Sequence, residues 1–226
     1  MTAAPAPPDQ APGPVPLVVD LDGTLVRGDL LVESAARLLR DAPLRALAAP
    51  LWLLRGRAYL KHRIAGQVDL PVATLPYEQA VVDLTRAARR EGRTTVLATA
   101  ASGGYARRVA AHLGVFDRVH ASDAATNLGA GAKARLLADT YGEGGFDYAG
   151  NARADLAVWR RARRALVVDP ERGVLGALRR AGTPHEVVKP RADRLGPALR
   201  ALRPHQWLKN LLVFLPLLTA HLYGEP

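Results

Sequence analysis

The chain has 226 residues, and about half of them are apolar, which is enough for one full globular domain with a small insertion or tail. It contains no cysteine, so disulfides, thiolate metal sites and cysteine nucleophiles are excluded. The formal charge of +10 favours anionic partners, namely phosphorylated substrates, acidic lipid head groups or nucleic acid. Nucleic acid is the least favoured of the three, because few aromatic residues accompany the arginines and no nucleic-acid-binding motif is present.

Residues 1–16 are rich in alanine and proline. They contain neither the basic region nor the apolar stretch that a secretory signal needs. We therefore expect a disordered leader that ends where an apolar run begins at residue 17.

The apolar run 17–19 is followed by two carboxylates, Asp20 and Asp22, and then by Gly23. Residues two apart in an extended chain point to the same side, so both carboxylates can enter one crevice at the end of a strand. Two close carboxylates repel each other, and a divalent cation or a shared proton offsets this repulsion. The alternative interpretation is a solvated turn at the end of a strand.

Apolar residues recur at helical spacing between the first strand and residue 94, with no strand pattern among them. The predicted helices are 30–39, 44–54, 58–64 and 77–90. We therefore expect a helical insertion over about residues 28–91. Segment 44–55 is apolar, is flanked by arginines and contains Trp52. It fits a membrane interface or, as we favour, a face packed on the domain or on neighbouring helices.

Strand and helix patterns alternate from residue 94 onward. The predicted strands are 94–99, 118–121, 146–149, 165–168 and 185–188, and the predicted helices are 105–113, 132–141, 154–163 and 174–181. Such alternation indicates βαβ units and a parallel sheet covered on both faces. We therefore predict a doubly wound, Rossmann-like α/β fold within residues 17–190.

Two further polar residues lie where ligands bind in such folds. Thr99 ends the second predicted strand, and its hydroxyl and the N–H groups that follow can hold phosphate oxygens, with Ser102 as an alternative donor or helix N-cap. Lys133 lies in the first turn of a predicted helix, where a cation opposes the helix dipole, which indicates an anion nearby. The alternative is a solvated surface lysine.

The segment Asp20-Leu21-Asp22-Gly23-Thr24 resembles the DxDGT signature of the haloacid dehalogenase-like (HAD) hydrolases, most of which are magnesium-dependent phosphatases. Thr99, Lys133 and segment 150–155 resemble the second, third and fourth motifs of that family, in the same order along the chain. The helical insertion resembles a small C1-type cap, which closes over a phosphate site and selects the substrate. The resemblance implies the HAD fold and an aspartyl-phosphate mechanism.

The same resemblance implies a role for each matching residue. Asp20 would be the nucleophile, and Asp22 would protonate the leaving oxygen and then activate water, while Thr99 and Lys133 complete the catalytic group. The implied substrate-binding residues are Gly23, Thr24, Thr99, Ala100 and Lys133, and the implied Mg²⁺ ligands are Asp20, Asp22, Asn151 and Asp155. The family usually has GDxxxD in its fourth motif, so Asn151 removes one negative charge and should weaken Mg²⁺ binding.

Residues 191–226 contain a basic linker and then an apolar run. Residues 203–218 resemble the start of the first membrane helix of UbiA-type polyprenyl transferases, in the branch similar to decaprenyl-phosphate phosphoribosyltransferase, where a HAD domain is sometimes fused at the N-terminus. This implies a membrane surface and a UbiA-like transferase domain as partners, on the cytoplasmic side. Residues 211–220 are only about half the length that spans a bilayer. The alternative is a tail packed on the domain, which would leave the protein cytoplasmic.

Two functions from different classes therefore compete. The first is a Mg²⁺-dependent phosphomonoester hydrolase acting on a phosphorylated sugar, which by analogy would be lipid-linked. The second, which Asn151 and the tail motivate, is a catalytically weak accessory or regulatory domain of a UbiA-family membrane prenyltransferase or phosphoribosyltransferase.

Overall fold

The computed structural model describes residues 14–123 and 125–190. Within them, six strands form one sheet: β1 Leu17–Val19, β2 Thr95–Ser102, β3 Arg118–Ser122, β4 Asp147–Gly150, β5 Arg164–Val168 and β6 His185–Lys189. The strand order is β3-β2-β1-β4-β5-β6, and every neighbouring pair is parallel. The chain therefore begins at the centre of the sheet, builds one edge and returns to build the other, which confirms the predicted doubly wound α/β fold.

Nine helices accompany the sheet in the described part of the chain. They are α1 Leu30–Asp41, α2 Pro43–Ala46, α3 Ala49–Leu54, α4 Arg57–Ala65, α5 Gln79–Arg90, α6 Gly103–Leu113, α7 Ala130–Tyr141, α8 Leu156–Trp159 and α9 Val174–Arg180. Buried side chains of α5 and α6 belong to the apolar cluster on one face of the sheet, and those of α7, α8 and α9 belong to the cluster on the other face.

The first strand shows why the sheet is buried on both sides. Leu17 and Val19 point into one apolar cluster and Val18 into the other, and all three are fully buried. This alternation follows from the two-residue period of an extended chain. It places strands of continuous apolar sequence at the centre of a parallel sheet, where each buried aliphatic side chain contributes roughly 1.5–3 kcal/mol.

The helical insertion leaves the core at Arg27 and returns at Pro76. The Arg27 N–H donates to the Pro76 carbonyl (2.9 Å), and the Glu78 N–H donates to the Leu25 carbonyl (2.8 Å). The insertion thus covers residues 28–75 and is shorter than the expected 28–91. Helix α5 packs on the sheet as the crossover to β2, and its apolar spacing resembles that of the insertion helices because both are amphipathic.

Two predicted helices are interrupted in the structure. The helix predicted over residues 44–54 is divided into α2 and α3, because Pro50 lies in the first turn of α3 and has no N–H to continue the preceding helix. The helix predicted over 154–163 is reduced to a 3₁₀ turn, Arg153–Asp155, followed by α8.

The structure describes only the last residues of the expected leader and none of the expected tail. Residues 1–13 and 191–226, which contain most of the expected leader and the whole expected membrane-proximal segment, lie outside the described residues. The last leader residues are tied to the core, since the Val15 and Pro16 carbonyls accept hydrogen bonds from Arg93 and Asp147. In residues 14–123 and 125–190, no helix has both the length and the apolarity needed to cross a membrane.

Candidate active site

The candidate site lies at the carboxyl end of β1, between β2 and β4, where the winding direction of the sheet reverses. The Asp20 N–H donates to the Ala149 carbonyl of β4 (3.0 Å), which holds Asp20 at this edge. Gly23 then turns the chain with a φ of +74°, and a Cβ there would lie 2.5 Å from the Asn151 amide nitrogen. Glycine is therefore required both by the backbone conformation and by the close approach of Asn151.

Asp20 forms a buried ion pair with Lys133. The Lys133 ammonium, in the first turn of α7, donates to Asp20 Oδ1 and to the Tyr148 hydroxyl, both at 2.7 Å, and lies 3.9 Å from Asp155 Oδ1. Only 5% of the Lys133 side chain is exposed. The alternative of a solvated surface lysine is therefore wrong, and the anion indicated by the unfavourable helix position is the carboxylate of Asp20.

Tyr148 connects Lys133 to Asp155. Its hydroxyl accepts from the ammonium and donates to Asp155 Oδ1 (2.9 Å), and the whole residue is buried. On β4 its side chain points to the face covered by α7, which brings the hydroxyl to Lys133. A tyrosine in a strand is common enough that the sequence alone did not mark it as a site residue.

Asp155 closes the loop after β4. Its Oδ2 accepts from the N–H groups of Asn151 (3.0 Å) and Ala152 (2.9 Å), while its Oδ1 accepts from Tyr148. Both oxygens of this expected metal ligand thus already accept hydrogen bonds, and Oδ2 orients the loop. The Asn151 amide oxygen accepts from the Thr24 hydroxyl (3.3 Å), and Thr24 is buried behind the cavity. Thr24 was expected to contact the substrate, but it does not line the cavity and instead orients Asn151.

The end of β2 forms another wall of the site. Thr99 is fully buried, and its hydroxyl accepts from the Ala101 N–H (2.9 Å). The neighbouring Ala100 carbonyl accepts from the Lys61 ammonium (2.9 Å), so helix α4 of the insertion reaches over the core at this point. Ser102, the alternative donor, lines two adjacent cavities instead.

These residues surround one cavity of about 360 Å³. The predicted site residues that line it are Asp20, Asp22, Gly23, Thr99, Ala100, Lys133, Asn151 and Asp155, and Thr24 is the one predicted residue that does not. Three other polar residues that the sequence analysis did not assign to the site also line it, namely Asp29, Lys61 and Glu171. Glu171 follows β5 and was open to the same strand-end reasoning that found Asp20, whereas nothing in the sequence distinguishes Lys61 from other helical lysines.

The site contains more carboxylates than basic groups. Burial raises the pKa of Asp20 to about 7, with Lys133 opposing the change and Asp155 reinforcing it. Burial also raises the pKa of Asp22 to about 6, against the hydrogen bond that its Oδ1 accepts from the Leu30 N–H (2.9 Å). Burial by itself lowers the pKa of Lys133, but the nearby carboxylates outweigh it and raise that pKa. A cation bound among these carboxylates would therefore be favoured.

The donor atoms suit a hard cation such as Mg²⁺, because carboxylate, amide and carbonyl oxygens are the ligands it prefers. Asp20 has one carboxylate oxygen beyond the one bonded to Lys133, and Asn151 contributes an amide oxygen to the same cavity. Among the residues that the structure describes, no three His, Cys, Asp or Glu side chains form a group that could hold a metal ion. An ion at this site would therefore depend on the Asn151 amide and on backbone or water oxygens to complete its shell.

Comparison with known proteins gives one close sequence relative. No protein-family model matches the chain. An uncharacterized protein of Sinorhizobium fredii, y4nM, is 37% identical over 205 residues. The match covers 90% of this chain but only 39% of the relative, so the chain spans well under half of that protein.

Solved structures identify the fold. A HAD-family hydrolase from Salmonella enterica superposes with a TM-score of 0.54 at 15% identity, over 73% of this chain and 67% of that one. A substrate-bound phosphoserine phosphatase superposes with a TM-score of 0.55 at 12% identity, over 83% of this chain and 97% of that one. The chain thus has the fold of HAD hydrolases, as its motifs predict.

Proposed function

We propose that the chain is a Mg²⁺-dependent phosphomonoester hydrolase that acts through an aspartyl-phosphate intermediate. The observation that carries the proposal is the buried pair of Asp20 and Lys133 at the carboxyl end of β1, inside the cavity that eight of the predicted site residues line. The HAD fold, shared with a phosphoserine phosphatase, supports the same reaction class.

In the proposed reaction, the Asp20 oxygen that is free of Lys133 attacks phosphorus, and the bond from phosphorus to the substrate oxygen breaks. Asp22 gives its proton to the departing oxygen, so an alcohol leaves and Asp20 carries the phosphoryl group. Water then attacks phosphorus and gives a proton to Asp22, and the bond from phosphorus to the Asp20 oxygen breaks. Inorganic phosphate leaves, and both carboxylates return to their initial states.

The other polar groups hold the reactants. Lys133 keeps Asp20 oriented through its 2.7 Å hydrogen bond and offsets negative charge on the transferring group. Thr99 and Ala100 are the proposed contacts of the phosphoryl oxygens, while the Ala101 N–H donates to the Thr99 hydroxyl and orients it. A bound Mg²⁺ would supply further neutralisation of the phosphate, held by Asp20, Asp22 and Asn151, with Asp155 holding the loop that carries Asn151.

For the substrate we propose a phosphorylated sugar attached to a lipid. Lys61, which reaches the cavity from the insertion, is suited to an anionic or hydroxyl-rich group next to the phosphate. The lipid is inferred from the UbiA-like pattern at residues 203–218, which also motivates a location on the cytoplasmic side of a membrane.

A second candidate is a weakly active accessory domain of a UbiA-family membrane prenyltransferase or phosphoribosyltransferase. Asn151, which replaces a charged ligand, favours this candidate, as does the much greater length of the Sinorhizobium relative. A silent domain would bind its partner or substrate without turnover.

The two candidates differ in phosphate release. The assay uses p-nitrophenyl phosphate and a panel of phosphosugars, with and without Mg²⁺, for the parent and for Asp20→Asn. Asp139→Asn, the same change at an exposed residue of α7, is the control. Mg²⁺-dependent release that Asp20→Asn abolishes and Asp139→Asn retains supports the hydrolase. Undiminished release by Asp20→Asn contradicts the assignment, and no release by the parent favours the accessory domain.

A further inference from the structure

The insertion carries a row of exposed leucines. Leu44 lies on α2, Leu51 and Leu54 lie on α3, and Leu47 lies in the turn between the two helices. The leucines follow one another at spacings of three and four residues, and Leu47 and Ala48 keep a helical backbone, which places the four on one side. Their exposed fractions are 82%, 73%, 65% and 84%. We call these four residues the leucine face. Contiguous apolar surface of this kind marks an interaction site in a folded protein.

The opposite side of the same helices is already packed. Ala46 and Trp52 contact the main apolar cluster of the domain, and no residue of α2 or α3 is fully buried. The sequence-based preference for a segment packed through its apolar residues therefore holds for these two and is wrong for the leucine face. The helices are anchored by one side and present the other outward.

The segment that carries the leucine face is strongly basic. Residues 42–68 contain five lysines and arginines and no acidic residue. The acidic residues that border this segment already have arginine partners, since Asp41 pairs with Arg40 (2.8 Å) and Asp69 pairs with Arg108 (2.6 Å). Arg45, which lies between Leu44 and Leu47, and Arg55, which follows Leu54, are exposed.

We propose that the leucine face docks on an anionic lipid bilayer, with the leucines at the level of the acyl chains and the arginines among the head groups. Exposed leucines beside basic residues are the combination that binds such an interface. A second copy of the chain fits less well, because a two-fold interface would bring two basic segments together without any acidic residue between them.

Docking in this way would lie close in the chain to the candidate active site. The basic segment includes α4, whose Lys61 lines the cavity and donates to the Ala100 carbonyl. The helices held against the bilayer are thus joined directly through the chain to one wall of that cavity. The docking proposal does not rest on the proposed phosphatase activity, because binding is measured without turnover.

The test measures binding of the full 226-residue chain to vesicles of phosphatidylcholine alone and of phosphatidylcholine mixed equally with phosphatidylglycerol. We expect binding to the anionic vesicles, weakened by salt. The double variant Leu51→Glu, Leu54→Glu should weaken it by at least about tenfold. Val187→Glu, which alters an exposed apolar residue of β6, is the matched control and should bind like the parent. Arg55→Gln should weaken binding about fivefold.

A second readout separates the leucine face from the tail. The chain has three tryptophans; Trp159 is fully buried and Trp52 packs on the domain, so Leu51→Trp in a Trp52→Phe, Trp207→Phe background places the one responsive reporter on the leucine face. Brominated phosphatidylcholine in anionic vesicles should quench this reporter, and Leu47→Glu together with Leu54→Glu should abolish the quenching. An unquenched reporter, or equal binding by the leucine variant and Val187→Glu, would overturn the proposal. So would a dimer in sedimentation that the leucine variant dissociates, since a second copy would then cover the face.

Discussion

Replacing Tyr148 with Phe removes one hydroxyl from the buried chain of polar groups behind Asp20 and changes little else. The hydroxyl accepts from Lys133 at 2.7 Å and donates to Asp155 at 2.9 Å, and the ring stays packed beside Trp159. The substitution therefore leaves the shape of the core intact and withdraws two hydrogen bonds from charged groups.

The size of the effect follows from those two bonds. A hydrogen bond to a buried charged group contributes about 1.5–3 kcal/mol. Lys133 keeps its bond to Asp20, and Asp155 keeps its two backbone donors, so the losses are not fully additive. We expect the free energy of unfolding to fall by roughly 2–4 kcal/mol. Because the Lys133 ammonium is less firmly directed at Asp20, kcat should fall about ten- to a hundredfold while KM changes little.

Urea unfolding and steady-state kinetics measure the two effects, and Tyr105→Phe is the matched control. The buried Tyr105 hydroxyl donates to the Val68 carbonyl (2.8 Å) and accepts from Ser34 (3.2 Å), so its partners are neutral. That variant should lose about 1–2 kcal/mol of stability and no activity. A Tyr148→Phe protein with the stability and kcat of the parent would show that the Tyr148 hydroxyl does not support Lys133 and Asp155, as would an equal loss of kcat in Tyr105→Phe.

Three further predictions concern the same domain. Asn151→Asp should restore a charge to the proposed Mg²⁺ site and lower the Mg²⁺ concentration for half-maximal activity about tenfold. If that concentration is unchanged, the Asn151 amide binds Mg²⁺ as well as a carboxylate does. Burial raises the pKa of Asp147, but hydrogen bonds from arginines, first among them Arg163, outweigh it and hold that pKa below 3.8. The stability that ionised Asp147 contributes should therefore be complete above pH ~4 and be lost as the pH falls through the pKa of Asp147 in the folded protein. The free energies of unfolding of the parent and of Asp147→Asn, measured in urea, should then converge in acid. Gly23→Ala and Gly92→Ala, at φ values of +74° and +73°, should each lose about 1 kcal/mol of stability, but only Gly23→Ala displaces Asn151 and should reduce activity.

The strands of the sheet were predictable because the apolar pattern that marks them is local in the sequence. Strands buried on both faces give continuous apolar runs, such as residues 96–98, and the alternation with helices fixes the parallel topology. The end of the insertion was not predictable in the same way. It is set by the backbone contact between Arg27 and Pro76, and α5 has the same amphipathic spacing as the helices before it.

The residues of the site also fall into a predictable group and a group that the sequence did not mark. Asp20 and Asn151 directly follow β1 and β4, and Asp22 lies two residues after Asp20. Thr99 lies near the end of β2, which continues to Ser102, beyond the predicted end at residue 99. The carboxyl ends of parallel strands meet at one edge, so the sequence predicts that these residues converge. Tyr148 reaches Lys133, and Lys61 reaches the cavity, through tertiary contacts that no local pattern encodes, whereas Glu171 follows β5 and was open to strand-end reasoning. The leucine face is a further case, since helical spacing marks an apolar side but not whether it packs inward.

The role of Asp20 is tested most directly by the mass of the protein after rapid acid quenching of a reaction with p-nitrophenyl phosphate and Mg²⁺. If Asp20 is the nucleophile, the parent gains the mass of one phosphoryl group, peptide mapping places it on Asp20, and Asp20→Asn gains none. A phosphoryl group on another residue, or phosphate release by Asp20→Asn at the parent rate, would show that Asp20 is not the nucleophile.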